Sequence, residues 1–188
     1  MGRFRIFAIV LALGAGLASC DLLNVDVDTS FKGTLDVLAP EEALKGSEGL
    51  VRIYAVDTLR PGDNDEVKEY AKNIVDMQVE NVDATVTLFN VDEVILTPQT
   101  RFVLTDGSTT AEWPLEEEWV ISDGSSLMLE DKNDFYEKIT TIIDVADLTE
   151  DELDEREWIL MIDGNGGPAG ARFKIDMNFD VVITGSII

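Results

Sequence analysis

From Phe173 to Val181 the chain reads Phe-Lys-Ile-Asp-Met-Asn-Phe-Asp-Val, apolar and polar side chains in strict alternation, and Ile183 continues the series. A β-strand turns successive side chains to opposite faces and so gathers all of these apolar groups on one side. A helix would scatter them around its circumference and leave Phe and Met in water. The pattern recurs near the other end. Val25, Val27, Phe31, Leu35 and Val37 fall on odd positions, with Asp26, Asp28, Ser30, Lys32, Thr34 and Asp36 among the even ones. Two long strands, over 25–37 and 172–184, each with one wet face, predict antiparallel sheets that bury their other faces together. Phe31, Leu35, Ile175, Met177 and Phe179 are therefore expected in one shared layer.

Other strands are expected between these two. Leu50–Val56, Val91–Leu96, Phe102–Leu104 and Trp119–Ile121 are short and β-rich, and Trp158–Ile162 is apolar at every position, as a strand covered on both faces would be. Val82, Ala84, Val86 and Leu88 alternate on even positions, whereas Met77 and Val79 just upstream are odd, so a bulge near Glu80-Asn81 must reconcile the two registers. Helices are few. Asp63-Asn64-Asp65-Glu66 has capping-box spacing, and Val67, Tyr70, Ala71 and Ile74 continue as a helical stripe, which predicts a helix over 64–75. Phe135, Ile139, Ile142, Ile143 and Ala146 share a face over 132–146, although β-branched Thr140 to Ile143 also suit a strand. Thr149 and Glu152 form a second capping-box pair, opening a helix near 150–156. Frequent turn signals complete the pattern of a mainly β, antiparallel sandwich-like domain over 25–188 with two or three short helices, an α+β domain being the alternative.

The first residues obey different rules. Arg3 and Arg5 precede an uncharged run, Ile6 to Leu17, and small residues follow it. The run falls short of the ~20 apolar residues a membrane-spanning helix needs, and has the layout of a secretory signal. It ends Leu17-Ala18-Ser19-Cys20, and Cys20 is the only cysteine in the sequence. This tetrapeptide resembles the lipobox of bacterial lipoproteins: aliphatic, small, small, Cys. The resemblance implies removal of residues 1–19, acylation of Cys20, a short lipidated tether over 20–24 and a membrane anchor outside the cytoplasm. Each buried CH₂ of such a lipid contributes about 0.8 kcal/mol, so two or three acyl chains hold firmly. Asp21 resembles a retention signal for the inner membrane in enteric-type sorting, while acidic residues there accompany export to the outer surface in other lineages. Both membranes stay open.

Charge and composition narrow the chemistry. Asp and Glu number 38 against 14 Lys and Arg, for a net charge of −24. Such a surface repels nucleic acid and anionic head groups and favours cations, basic partners or high salt. The sequence contains no histidine, which removes Ser-His-Asp and Cys-His catalysis, histidine bases and histidine metal ligands. With Cys20 acylated, no disulfide can form either.

Carboxylates are what remain. Glu116, Glu117 and Glu118 lie between Trp113 and Trp119, and carboxylates held about 5–10 Å apart hydrolyse glycosides. In so acidic a chain such a grouping has little weight. Asp163 and Asn165, set among Gly164, Gly166 and Gly167, offer oxygens to Ca²⁺, but the ion needs about six to eight and no EF-hand series is present. A Gly-rich hairpin between strands 158–162 and 172–183 fits the segment better. Trp158 reads as core, and Trp113, before Pro114 in an expected loop, is the aromatic best placed to anchor a ligand. The expectation is a lipid-anchored extracytoplasmic domain, a non-catalytic binding or envelope protein without a cofactor, save Ca²⁺ if Asp163 and Asn165 bind it. Its partners are the membrane, through the lipid, and a protein or glycan. A carboxylate-dependent, glycosidase-like hydrolase is the alternative.

Overall fold

The computed structural model describes residues 23–42, 49–146 and 148–187. The expected signal and Cys20 lie outside the described residues. In chain order the elements are β1 (Leu23–Leu38), β2 (Val51–Leu59), α1 (Asp65–Tyr70), β3 (Ile74–Leu88), β4 (Glu93–Leu96), β5 (Arg101–Thr105), β6 (Thr110–Pro114), β7 (Trp119–Ser122), β8 (Ser126–Met128), α2 (Phe135–Ile143), α3 (Glu150–Glu155), β9 (Trp158–Gly167) and β10 (Arg172–Ile187). The strands make two antiparallel sheets, one ordered β1-β10-β3-β8, the other β6-β5-β9-β4-β7 with β2 pairing β9. The described residues are mainly β, a sandwich-like fold with three short α-helices.

The two alternating segments are direct neighbours. β1 and β10 pair along their whole lengths, with Phe31 opposite Phe179 and Leu35 opposite Ile175. Phe31, Leu35, Ile175, Met177 and Phe179 are all buried, as the alternation requires. Burying each such side chain contributes roughly 1.5–3 kcal/mol. The bulge falls where the registers demand it: Asp180 pairs with Asn81 but Val181 pairs with Val79, so Glu80 is the extra residue.

β3 is longer at its start than the sequence suggests, and the expected helix over 64–75 is correspondingly shorter. α1 ends at Tyr70, a 3-10 turn takes Ala71–Asn73, and Ile74 already pairs with Gly185. Pairing with the end of β10 wins over the helical stripe, which β-branched Ile74 and Val75 support only weakly. The cap is Asn64, not Asp63. Its side chain accepts from the Val67 N–H at 2.9 Å and donates to Thr29 Oγ1 at 3.0 Å and the Ser30 carbonyl at 3.1 Å, which ties α1 to β1. The Thr149 capping box forms as expected and opens α3.

α2 is the helix expected within 132–146, with Phe135, Ile139, Ile142 and Ile143 buried. Its polar side chains cover the part of the β3 edge that β8 does not reach. Thr140 Oγ1 accepts from the Val79 N–H at 3.1 Å, and the Tyr136 hydroxyl accepts from the Val82 N–H at 3.2 Å while donating to the Leu129 carbonyl at 2.9 Å. Unpaired edge donors are thereby satisfied without another strand.

Candidate functional site

The Gly-rich segment is not a turn. β9 continues through Asp163, Gly164, Asn165 and Gly166, with Asn165 opposite Arg52 and Gly166 opposite Val51, and the chain reverses later, after the Gly167-Pro168 bond. Glycine is needed at 164 because a Cβ there would collide with Thr100 Cα. Asp163 lies between two guanidiniums: Arg52 Nη2 donates at 3.0 Å and Arg101 Nη2 at 3.3 Å. The Arg52 hydrogen bond, opposed by partial burial and reinforced by Arg101, holds its carboxyl below the usual aspartate range. Asn165 gives its side-chain amide to Gln99 Oε1 at 3.3 Å, and its carbonyl accepts from Thr97 N at 2.9 Å and Thr100 Oγ1 at 2.8 Å. Two arginines thus stand where Ca²⁺ would approach Asp163. Among the described residues no group of three or more His, Cys, Asp or Glu is arranged to hold a metal.

Trp113 also departs from expectation. It lies on β6 rather than in a loop, only 8% exposed, and its Nε1 donates to the Glu130 carbonyl at 3.2 Å. Its ring tilts against Phe102 with centroids 6.3 Å apart. It forms part of the floor of a cleft of about 350 Å³. The end of β6 and the following loop supply Leu115 and Glu116 to Glu118, β7 supplies Trp119, and β8 with the residues after it supplies Leu127, Met128, Glu130 and Lys132. Trp119 and Leu127 are half-buried, and Met128 is 62% exposed. Tryptophan and methionine at an open surface give binding energy to a contact.

The cleft's charges are four glutamates and one lysine. Lys132 Nζ meets Glu116 Oε2 at 3.0 Å and Glu130 Oε2 at 3.5 Å. The Glu116 hydrogen bond, opposed by desolvation and reinforced by the charges of Glu116 and Glu130, raises the ammonium above its ordinary range. The ammonium thus pairs with both carboxylates and offsets part of the charge that an acid–base pair for glycoside hydrolysis would use. A larger hollow, about 470 Å³, opens beside β1 and α1, but Asp28, Thr29, Ser30, Glu66, Glu80 and Asp180 make its lining mostly polar, with Val181 the apolar member.

The sequence pointed to Trp113, Glu116 to Glu118 and Trp119 as neighbours. It did not bring in Met128, Glu130 or Lys132, because β6 and β8 were not expected as strands. The apolar run Leu127-Met128-Leu129 after the Asp123-Gly124 turn was the available signal for β8.

No family model and no curated protein matches the chain. Among solved structures, it is similar to a cryo-EM structure of Mud crab tombus-like virus at 10% identity and a TM-score of 0.41, covering 100% of this chain and 91% of that one. A structure of Desmodium yellow mottle tymovirus gives 10% identity and 0.37, covering 93% and 97%. The decameric BFDV capsid protein gives 10% identity and 0.39, covering 86% and 98%. Likenesses this distant carry no argument about function.

Proposed function

We propose that the chain is a lipid-anchored protein outside the cytoplasm that binds a partner without catalysing a reaction, with the cleft between β6, β7 and β8 as its binding surface. The observation that carries the anchor is the sequence Leu17-Ala18-Ser19-Cys20 behind a basic start and an uncharged run. The fold is compatible with it. β1 begins at Leu23 and pairs there with Ile187, so a lipid on Cys20 would hold that end of the sandwich near the bilayer. β8 pairs with Asp83, which aligns through Asn178 with Lys32 on β1. At the rise of an extended strand the cleft then lies about 30 Å along β1 from Leu23. No described helix is long and apolar enough to cross a membrane. Binding is favoured over the hydrolase reading because Lys132 pairs with both Glu116 and Glu130, two of the four carboxylates of the cleft.

Metabolic labelling with a fatty-acid analogue, followed by membrane fractionation, tests the anchor. The unaltered chain is expected to take up label and sediment with membranes, and Cys20→Ser to lose the label. Equal labelling of the Ser variant overturns the reading.

A further inference from the structure

We infer that the cleft takes an extended, basic polypeptide segment that adds a strand to the free edge of β8. The inference rests on reading the cleft as the binding surface. Among the described residues β8 is the last strand of its sheet. The Val86 N–H donates to the Ser125 carbonyl and the Leu129 N–H to the Val82 carbonyl, both at 2.9 Å. Between these bonds, antiparallel pairing sets Ala84 opposite Leu127. Backbone groups alternate in direction along a strand, so Ser125, Leu127 and Leu129 face β3 while Ser126 and Met128 turn theirs outward. The neighbouring stretch of the β3 edge is closed by the hydroxyls of Thr140 and Tyr136, whereas the β8 edge opens beside the cleft. Main-chain pairing at such an edge supplies affinity, and the side chains around it supply selection.

The surroundings select a cationic, alternating partner. One set of an added strand's side chains would meet Trp119 and Leu127. Around them Glu116, Glu117, Glu118 and Glu130 outnumber the single Lys132. A chain of net charge −24 attracts a basic segment before contact and repels an acidic one.

The probe is an end-blocked decapeptide of alternating Lys and Val carrying a fluorophore, titrated by anisotropy against the full chain in detergent. Saturable binding is expected. It should weaken at least about tenfold when alternate peptide amides are N-methylated, when Lys is replaced by Glu, and in the triple variant Glu117→Gln, Glu118→Gln, Glu130→Gln. Ser126→Pro removes an outward donor while sparing the β3 pairing, and should cost a similar factor. The N-methylated arm uses the unaltered protein, so it decides the matter even if Ser126→Pro does not fold. Absence of binding, binding indifferent to N-methylation, or binding unchanged in the triple variant overturns the inference. A chain that takes up fatty-acid label yet ignores the peptide keeps its anchor and loses only the strand addition.

Discussion

Phe31 on β1 stands edge-on to Trp158 on β9, with ring centroids 4.9 Å apart and planes at 87°. The contact joins the two sheets through a pair that is almost wholly buried. Edge-to-face aromatic pairs contribute roughly 0.5–1.5 kcal/mol beyond the area they bury. Phe31→Ala should therefore cost about 3–5 kcal/mol of stability, as other buried Phe truncations do. Urea unfolding measures it, and a loss below about 1 kcal/mol would show that the sheets do not depend on this contact.

Tyr136→Phe should destabilise by about 1–3 kcal/mol, because it leaves the Val82 N–H and the Leu129 carbonyl without the hydroxyl that joins them. Hydrogen exchange gives the sharper readout. The Val82 amide should exchange faster in the variant, while amides in the β1–β10 ladder keep their protection relative to global stability. An unchanged Val82 rate would remove α2 from the role of edge cover.

Gly164→Ala should be costly, since the new methyl meets the Thr100 backbone rather than a flexible side-chain end. About 1–3 kcal/mol is the usual cost of forcing such a shift. A thermal melt equal to that of the unaltered chain would mean that β9 and the turn before β5 are not as close as described.

Stability should be flat from pH 6 to 8 and fall in acid. The chain has no histidine to titrate near neutrality. Asp106 and Asp163 are both held below the ordinary aspartate value of 3.8. For Asp106 burial works the other way, and the backbone N–H groups of Thr109 and Ser108, the Ser108 hydroxyl and Arg156 outweigh it. A carboxyl depressed in the folded state adds stability that is complete above its unfolded value and vanishes as pH falls through the folded one. The loss should therefore lie below about pH 4, and Asp106→Asn should flatten part of it. Acid unfolding monitored by circular dichroism tests both. A transition centred between pH 6 and 8 would contradict them.

The melting temperature should rise with NaCl, which screens self-repulsion within ~8 Å at physiological ionic strength. CaCl₂ at matched ionic strength should add nothing further, because Arg52 and Arg101 already neutralise Asp163. A calcium-only shift of several degrees would place a specific ion site on the native chain.

The sequence by itself determined the two long terminal strands, the face each buries and the bulge at Glu80, because alternation and its phase slip are properties of consecutive residues. The Thr149 capping box was legible for the same reason. What it could not determine lies in contacts between distant segments. α1 stops at Tyr70 because β10 offers Ile74 a partner far along the chain. Asp163 to Gly166 look like a turn locally, yet β2 on one side and Thr100 with β4 on the other draw them into β9. Trp113 sits before a proline, which suggests a loop, but pairing with Phe102 makes it strand and floor. The cleft follows the same division. Trp119 and its neighbouring glutamates are adjacent in sequence, whereas Met128, Glu130 and Lys132 reach them only because β8 docks on β3. Local pattern fixes which face of a strand is apolar, but only the closing of one sheet over the other decides which strands meet and where an edge is left open.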